Sequence, residues 1–376
     1  MNFDTLVTPC YICEEALLEK NLKILAGVQK RSGAKILVAL KGFALWSTFD
    51  LVAKYLQGCT ASGLYEAKLA SEEFKKEVHT YSPAYKDEDV EEIARVSNHI
   101  VFNSINQLLK YKDCVKKVNP NIKISLRINP EVSSSPKDIY NPCGVYSRLG
   151  VTFKNFDTSV LEYLDGFNFH ALCEQNVDAL EEVLLSFEKN FSKYFSHLKY
   201  INFGGGHHIT KKDYDVEKLI RIIKEFKQKY DVQVYLEPGE AIGWEVGYLV
   251  STVLDVFENG MSIAILDTSA EAHMPDTLAM PYRAEVRGAG EANEKKYTYR
   301  LGGNTCLAGD IMGDYSFDEA LKVGDKIIFE DQIHYTFVKN TTFNGVKLPS
   351  LAVLKKDGQL KIVKSFKYED YKQRLS

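Results

Sequence analysis

The chain contains no apolar run of the roughly 18 residues that a membrane-spanning helix needs. Its first residues, "MNFDTLVTPCYIC", place no basic stretch ahead of an apolar one, so no secretory leader is read there, and a cytoplasmic location is expected. Excess positive charge is also missing: 47 Lys and Arg stand against 51 Asp and Glu, a net charge of -4, with no basic tract to follow a nucleic-acid backbone. Low-complexity linkers and internal repeats are absent. The seven cysteines, at 10, 13, 59, 114, 143, 173 and 306, are odd in number and scattered, which is not the pattern of a disulfide framework. One CxxC, Cys10 to Cys13, could open a redox helix, but no second CxxC completes a zinc site, and "CYIC" alternates as a strand would.

What is present is a series of short apolar runs, each followed by helical spacing. The strands read as "ILVALK" (36 to 41), "GCTAS" (58 to 62), "EVHTYS" (77 to 82), "HIVFN" (99 to 103), "KISLRIN" (123 to 129), "FNFHALC" (167 to 173), "YINFGGG" (200 to 206) and "QVYLEPG" (233 to 239). Helical periodicity fills segments between them, such as "SINQLLKYKDCVKKV" and "VDALEEVLLSFEKNF". Eight such βα units predict a closed TIM-like (β/α)₈ barrel. After residue 240 the period changes to closely spaced strands: "GYLVSTVLDVFE", "SIAILD", "YTYRLGG", "DKIIFE", "HYTFV", "SLAVLKK" and "LKIVK". The expected fold class is therefore α/β, with a barrel over residues 14–240 and a β-rich, β-barrel-like domain over 1–13 plus 241–376.

Barrel chemistry sits at the C-terminal ends of the strands, which here carry Lys41, Ser62, Arg127, His170, Cys173, Gly204, Gly205, Gly206 and Glu237. Each has a plain reading beside a chemical one. Lys41 is either a snorkelling side chain or a desolvated amine able to form a Schiff base. The triple glycine is either a loop or a nest of backbone donors for phosphate; it matches neither the dinucleotide nor the P-loop pattern. Glu237 is a salt-bridge partner or an acid aimed at a protonated ring nitrogen, and His170 is a core histidine or a flat face for an aromatic ring. Together, a lysine, a phosphate loop, an acid and a flat histidine describe a pocket for pyridoxal 5'-phosphate.

These motifs, from "TPCYIC" to "TTFNGV", resemble the fold-type III pyridoxal-phosphate decarboxylases, a family that includes ornithine and diaminopimelate decarboxylases. "ALKGF" is similar to the cofactor-lysine strand, "SLRIN" and "SRLGV" to two basic motifs bearing Arg127 and Arg148, "FHALC" to the stacking histidine with Cys173, and "GGGHH" to the phosphate loop. "EPGEA" resembles the ring-nitrogen motif, "NTCLAGD" the catalytic-cysteine motif, and "HYTFVKNTTFNG" the late segment whose Tyr335 would reach the phosphate. Within the family the motifs look like the branch acting on carboxynorspermidine and carboxyspermidine. One departure carries weight: ornithine and diaminopimelate decarboxylases have arginine where this chain has Glu240.

The resemblance implies an alanine-racemase-like fold, catalytic roles for Lys41 and Cys306, and a homodimer with active sites at its interface. It places Asp310 near Cys306 and the substrate, and Asp276 in the substrate loop. Glu240 and Asp276 are expected to bind the amines of a cationic, polyamine-like substrate. The implied activity is carboxy-lyase chemistry in polyamine biosynthesis, with no metal. Rival readings are decarboxylation of diaminopimelate or another basic amino acid, an amino-acid racemase on the same scaffold, or a cofactor carrier without chemistry.

Overall fold

A computed structural model describes residues 3–135 and 138–376. The chain divides into two compact units, Glu19–Ile242, and Met1–Leu18 with Gly243–Ser376. In chain order the strands are β1 (Cys10–Glu14), β2 (Lys35–Ala39), β3 (Gly58–Ala61), β4 (Glu77–Tyr81), β5 (His99–Phe102), β6 (Lys123–Arg127), β7 (Gly166–Asn168), β8 (Tyr200–Asn202) and β9 (Gln233–Leu236). They continue as β10 (Gly247–Glu258), β11 (Ser262–Leu266), β12 (Tyr297–Gly302), β13 (Ile311–Phe317), β14 (Lys326–Glu330), β15 (Ser350–Leu354) and β16 (Leu360–Lys364).

Strands β2 to β9 form a closed parallel barrel in sequence order, sealed where Lys35 and Ile36 of β2 pair with Tyr235 and Leu236 of β9. The helices lie as their spacing requires. Val177–Phe191 buries Leu180, Val183, Leu184, Phe187 and Phe191, a stripe at helical intervals whose large side chains are each worth about 1.5–3 kcal/mol on burial. Ser104 caps Ile105–Val118 by accepting the Gln107 amide at 3.3 Å, and Asp215 caps Val216–Tyr230 through Lys218 at 2.8 Å. One expectation fails between β6 and β7, where the described residues form short 3₁₀ turns and no α-helix. Proline, asparagine and serine crowd that stretch, "NPEVSSSPKDIYNP", and favour turns.

The second unit holds a sheet in the order β13-β12-β11-β10-β1-β15-β16, with β14 also pairing to β10. Strand β1 lies antiparallel to β10 and parallel to β15, so Cys10, Tyr11, Ile12 and Cys13 are all buried. Burial pushes the Cys10 thiol up to about 12 and the Cys13 thiol higher still, leaving neither as a thiolate for redox chemistry. Two readings of this region are corrected. "HYTFV" is not a strand: Tyr335–Lys339 is a 3₁₀ turn, entered through Tyr335 at φ 39°, a backbone angle no strand can hold. Strand β13, "IMGDYSF", was missed because Gly313 and Asp314 interrupt its apolar pattern with poor strand formers.

Among the described residues, no helix is long and apolar enough to cross a membrane.

Candidate active site

Strand β2 stops at Ala39, and Lys41 stands in the turn beyond it rather than on the strand. The turn is pinned: the Leu40 amide donates to Thr60 at 3.1 Å, and the Gly42 and Phe43 amides return to Ala39 at 3.0 and 3.1 Å. A Cβ on Gly42 would lie 2.8 Å from the Gly239 Cα, so two backbone turns meet there. That contact explains the glycines of "ALKGF" and "EPGE" together. It also brings Lys41, one residue before Gly42, and Glu237, two residues before Gly239, into one region of the barrel mouth. Lys41 remains reachable by water, yet it stands in a recess dense with protein, and this burial lowers its amine's pKa. The nearby Arg127 charge lowers it further, while Glu237 opposes the shift.

The triple glycine threads between two other loops. Gly204 and Gly206 take positive φ of 71° and 83°, and a Cβ on them would overlap the carbonyl oxygens of Phe169 and Leu172. A Cβ on Gly205 would overlap the Glu237 carbonyl oxygen. The amides are partly committed: Gly204 donates to Asn202 Oδ1 at 2.9 Å and Gly205 to His170 Nδ1 at 2.8 Å. Close packing therefore demands these glycines, and two of the three amides are not free for phosphate.

Those bonds order the site. Because His170 Nδ1 accepts from a backbone amide, the proton of the neutral ring belongs on Nε2. Burial first, and then the charges of Lys41 and Arg127, hold the His170 pKa well below the usual histidine range. Its carbonyl accepts from Arg127 Nη2 at 3.1 Å, and the Arg127 guanidinium lies 4.6 Å over the Tyr81 ring. Asn202, fully buried, uses both ends of its amide, donating from Nδ2 to Glu237 Oε1 at 2.7 Å. Glu237 is thus oriented by a residue the motif reading passed over.

Other expected residues fall around this group. Ser62 is exposed, and its amide donates to Glu66 Oε2 at 2.6 Å; Glu66, raised by burial and countered by Lys41, is a second residue missed. Arg148 is exposed, and its backbone is tied down through Asn103, which donates to the Arg148 carbonyl at 2.8 Å and accepts from Gly150 and Tyr81 at 2.8 Å each. Cys173 bears electrostatically on Lys41. Glu240 Oε2 lies 2.9 Å from His208 Nε2, and ligand atoms of Glu174, His208 and Glu240 fall within 4.8 Å of one another. Glu174, directly after "FHALC", is a further residue to which the motif reading gives no role; it holds a positive φ of 54°.

The remaining expected residues belong to the second unit. Cys306 is the exposed cysteine of the seven, and its amide donates to Asn344 Oδ1 at 2.6 Å. Asp310 is buried, and its carboxylate accepts from the amides of Ala270, Glu271 and Thr305 and from the Thr305 hydroxyl at 2.6 to 3.3 Å. That set of donors makes it a brace for the loop carrying Cys306. Asp276 accepts from Lys339 Nζ at 2.6 Å, and Lys339 in turn lies 5.5 Å over the ring of Tyr335.

A lysine with a lowered pKa, a neutral imidazole, a guanidinium and an oriented carboxylate, gathered at the mouth of a parallel barrel, fit an aldehyde cofactor that carries a ring nitrogen and an anionic group. Fold and site define a pyridoxal-phosphate enzyme. The family model for "Pyridoxal-dependent decarboxylase, C-terminal sheet domain" matches residues 10–332, and the chain belongs to that family. It is a pyridoxal-phosphate-dependent decarboxylase. Among its relatives, carboxynorspermidine/carboxyspermidine decarboxylase of Campylobacter jejuni subsp. jejuni is 53% identical over all of both chains. Carboxyaminopropylagmatine decarboxylase of Synechocystis is 46% identical over 99% of this chain and 96% of its own. The crystal structure of carboxynorspermidine decarboxylase from Campylobacter jejuni, complexed with norspermidine, superposes with a TM-score of 0.92 at 52% identity, covering 98% of this chain and all of that one.

Proposed function

We propose that this enzyme decarboxylates carboxynorspermidine, carboxyspermidine or both, releasing norspermidine or spermidine, as a cytoplasmic homodimer. The observation that carries the reading is the Glu240 carboxylate, grouped with His208 and Glu174 beside the glycine loop. Acids there attract a chain of cationic amines and repel the distal carboxylate of diaminopimelate. Full-length relatedness to a carboxynorspermidine/carboxyspermidine decarboxylase supports the same substrate class.

When bound, the cofactor supplies an electron sink for the pair left behind as carbon dioxide departs. The chain supplies the rest. Lys41 offers the amine that anchors the aldehyde, made nucleophilic by its lowered pKa. His170 offers a neutral ring face, and Glu237, steadied by Asn202, offers a carboxylate to the ring nitrogen. Arg127, Arg148, Ser62, Cys173, Tyr335 and the loop from Gly204 to Gly206 make up the remaining cofactor contacts in this proposal. Cys306, held by Asn344 and by the Asp310 brace, returns a proton to the α-carbon, one copy of the chain serving the other. Asp276 would accept a substrate amine in exchange for Lys339.

Carbon dioxide release measured side by side on carboxynorspermidine, carboxyspermidine, diaminopimelate and ornithine tests the proposal. The first two should turn over far faster; comparable turnover of diaminopimelate would overturn the role given to Glu240. Carboxyaminopropylagmatine belongs in the same panel because of the Synechocystis relative, and its preferential consumption would replace the amine terminus with a guanidinium one.

A further inference from the structure

On β4, Glu77, His79 and Tyr81 share one face, the face on which Tyr81 meets Arg127 at the barrel mouth. His79 lies below Tyr81 inside the barrel and is 1% exposed. Its ring is fixed twice. His99 stacks on it at 3.7 Å and 14°, and its Nε2 lies 3.1 Å from Glu77 Oε1. Glu77 is itself immobilised: Oε1 also lies 3.0 Å from His99 Nε2 and accepts from Tyr235 at 2.7 Å, while Oε2 accepts from Lys35 Nζ at 3.0 Å. Tyr235 and Tyr200 close the ring's surroundings at 4.8 and 6.4 Å between centroids. The other nitrogen, Nδ1, is buried and has no hydrogen-bond partner among the described residues, and it faces Glu237 Oε1 at 3.9 Å.

A metal ion does not explain this cluster, although Glu77, His79 and His99 lie close enough to share one. Two imidazoles stacked 3.7 Å apart in nearly parallel planes cannot both direct in-plane lone pairs at a single ion. Glu77 is also already occupied by Lys35 and Tyr235.

We propose that His79 is a positioning residue for Glu237, holding the Oε1 edge of that carboxylate together with Asn202 so that Oε2 is the oxygen turned to the cofactor's ring nitrogen. With a proton on each ring nitrogen, Nε2 donating to Glu77 and Nδ1 to Glu237, a movement of about 1 Å would close the 3.9 Å separation to a charge-assisted hydrogen bond. Asn202 alone leaves the carboxylate free to pivot about one contact; a second on the same oxygen stops the pivot. The anchor is a strand-borne column of Lys35, Glu77 and His79, which sets Glu237 from the interior of the barrel rather than from the loops of its mouth.

The inference rests on the reading of Glu237 as the ring-nitrogen acid, and one double-mutant cycle separates the two. The cofactor dissociation constant is measured by absorbance titration for the purified enzyme stripped of cofactor, for His79→Gln, for Glu237→Gln and for the double variant. His79→Gln should weaken cofactor binding about tenfold, the ordinary effect of losing one charge-assisted contact. In the Glu237→Gln background the same substitution should change affinity less than about twofold, because the carboxylate through which it acts is gone. Additive effects would overturn the inference while leaving Glu237 in its role. Unchanged affinity and absorbance in Glu237→Gln would overturn both. If His79→Gln does not accumulate as folded protein, Glu77→Gln, which releases the far edge of the ring, takes its place in the cycle with the same criteria.

Discussion

Acidification should unfold this enzyme through its buried histidines before its carboxylates are reached. Burial drives His207 in the barrel unit and His273 in the sheet unit from the ordinary 6.5 down to about 4. In the unfolded chain each imidazole takes up a proton near pH 6.5, whereas in the folded protein it resists until about pH 4. Protonation therefore favours the unfolded state. The stability these residues contribute is complete above pH 6.5 and is lost progressively as the pH falls to 4. A gap of about 2.5 pH units, at about 1.4 kcal/mol each, removes about 3 kcal/mol per histidine, against a typical total of about 5–15 kcal/mol. Glu77 does not blur this window: its folded pKa is pushed down by hydrogen bonds from His79 and His99, which outweigh its burial, so its contribution is lost only below about pH 4.3. Urea unfolding of the holoenzyme at intervals from pH 7.5 to 4.5 reads the effect. The midpoint should fall steeply below pH 6.5, and His207→Gln with His273→Gln should flatten the curve. A midpoint independent of pH over that range, or an undiminished slope in the double variant, would refute the reasoning.

Lys41→Ala should abolish the visible absorbance of a covalently attached cofactor and leave it removable by gel filtration; persistence of the band would take the anchor away from Lys41. Gly205→Ala drives a methyl group into the Glu237 carbonyl oxygen, an overlap expected to cost about 1–3 kcal/mol and to weaken cofactor binding, which thermal melts and cofactor titration would show together. Cys306→Ala should leave cofactor affinity unchanged and cut product formation by about a hundredfold or more, the usual scale for a lost proton donor, as measured by carbon dioxide release. Glu240→Gln should raise KM for the cationic substrate about tenfold with a smaller effect on kcat, since the contact is made before and during reaction alike.

Sequence pattern exposed the barrel well because parallel strands buried on both faces write continuous apolar runs, and their order leaves little freedom in topology. It exposed strand ends poorly. Lys41, His170 and Glu237 all lie beyond the last strand residue, because β2, β7 and β9 stop at Ala39, Asn168 and Leu236, where the chain turns to meet its neighbours. The sheet unit was less readable where backbone angle overrules side-chain alternation, as at Tyr335, or where glycine interrupts it, as in β13.

The glycine motifs show most clearly what a pattern can and cannot carry. "GGG" after a strand invites the idea of a phosphate nest, since glycine amides approach anions closely. In the folded chain the same glycines are required for another reason: side chains at 204, 205 and 206 would strike the carbonyl oxygens of Phe169, Glu237 and Leu172. That packing is what lets Gly205 donate to His170 and Gly204 to Asn202, and so orients His170 directly and Glu237 through Asn202, the two groups proposed to face the cofactor ring. Asn202, Glu66 and the column from Lys35 through Glu77 to His79 were not singled out by any motif, because one partner of each, Glu237 for Asn202, Lys41 for Glu66 and Lys35 for Glu77, comes from another βα unit and meets it only when the barrel closes. A motif marks the loops proposed to touch the cofactor, while the interior of the barrel holds side chains of those loops in place. Substitutions that weaken cofactor binding without touching it should accordingly map to the inward faces of β4, β8 and β9.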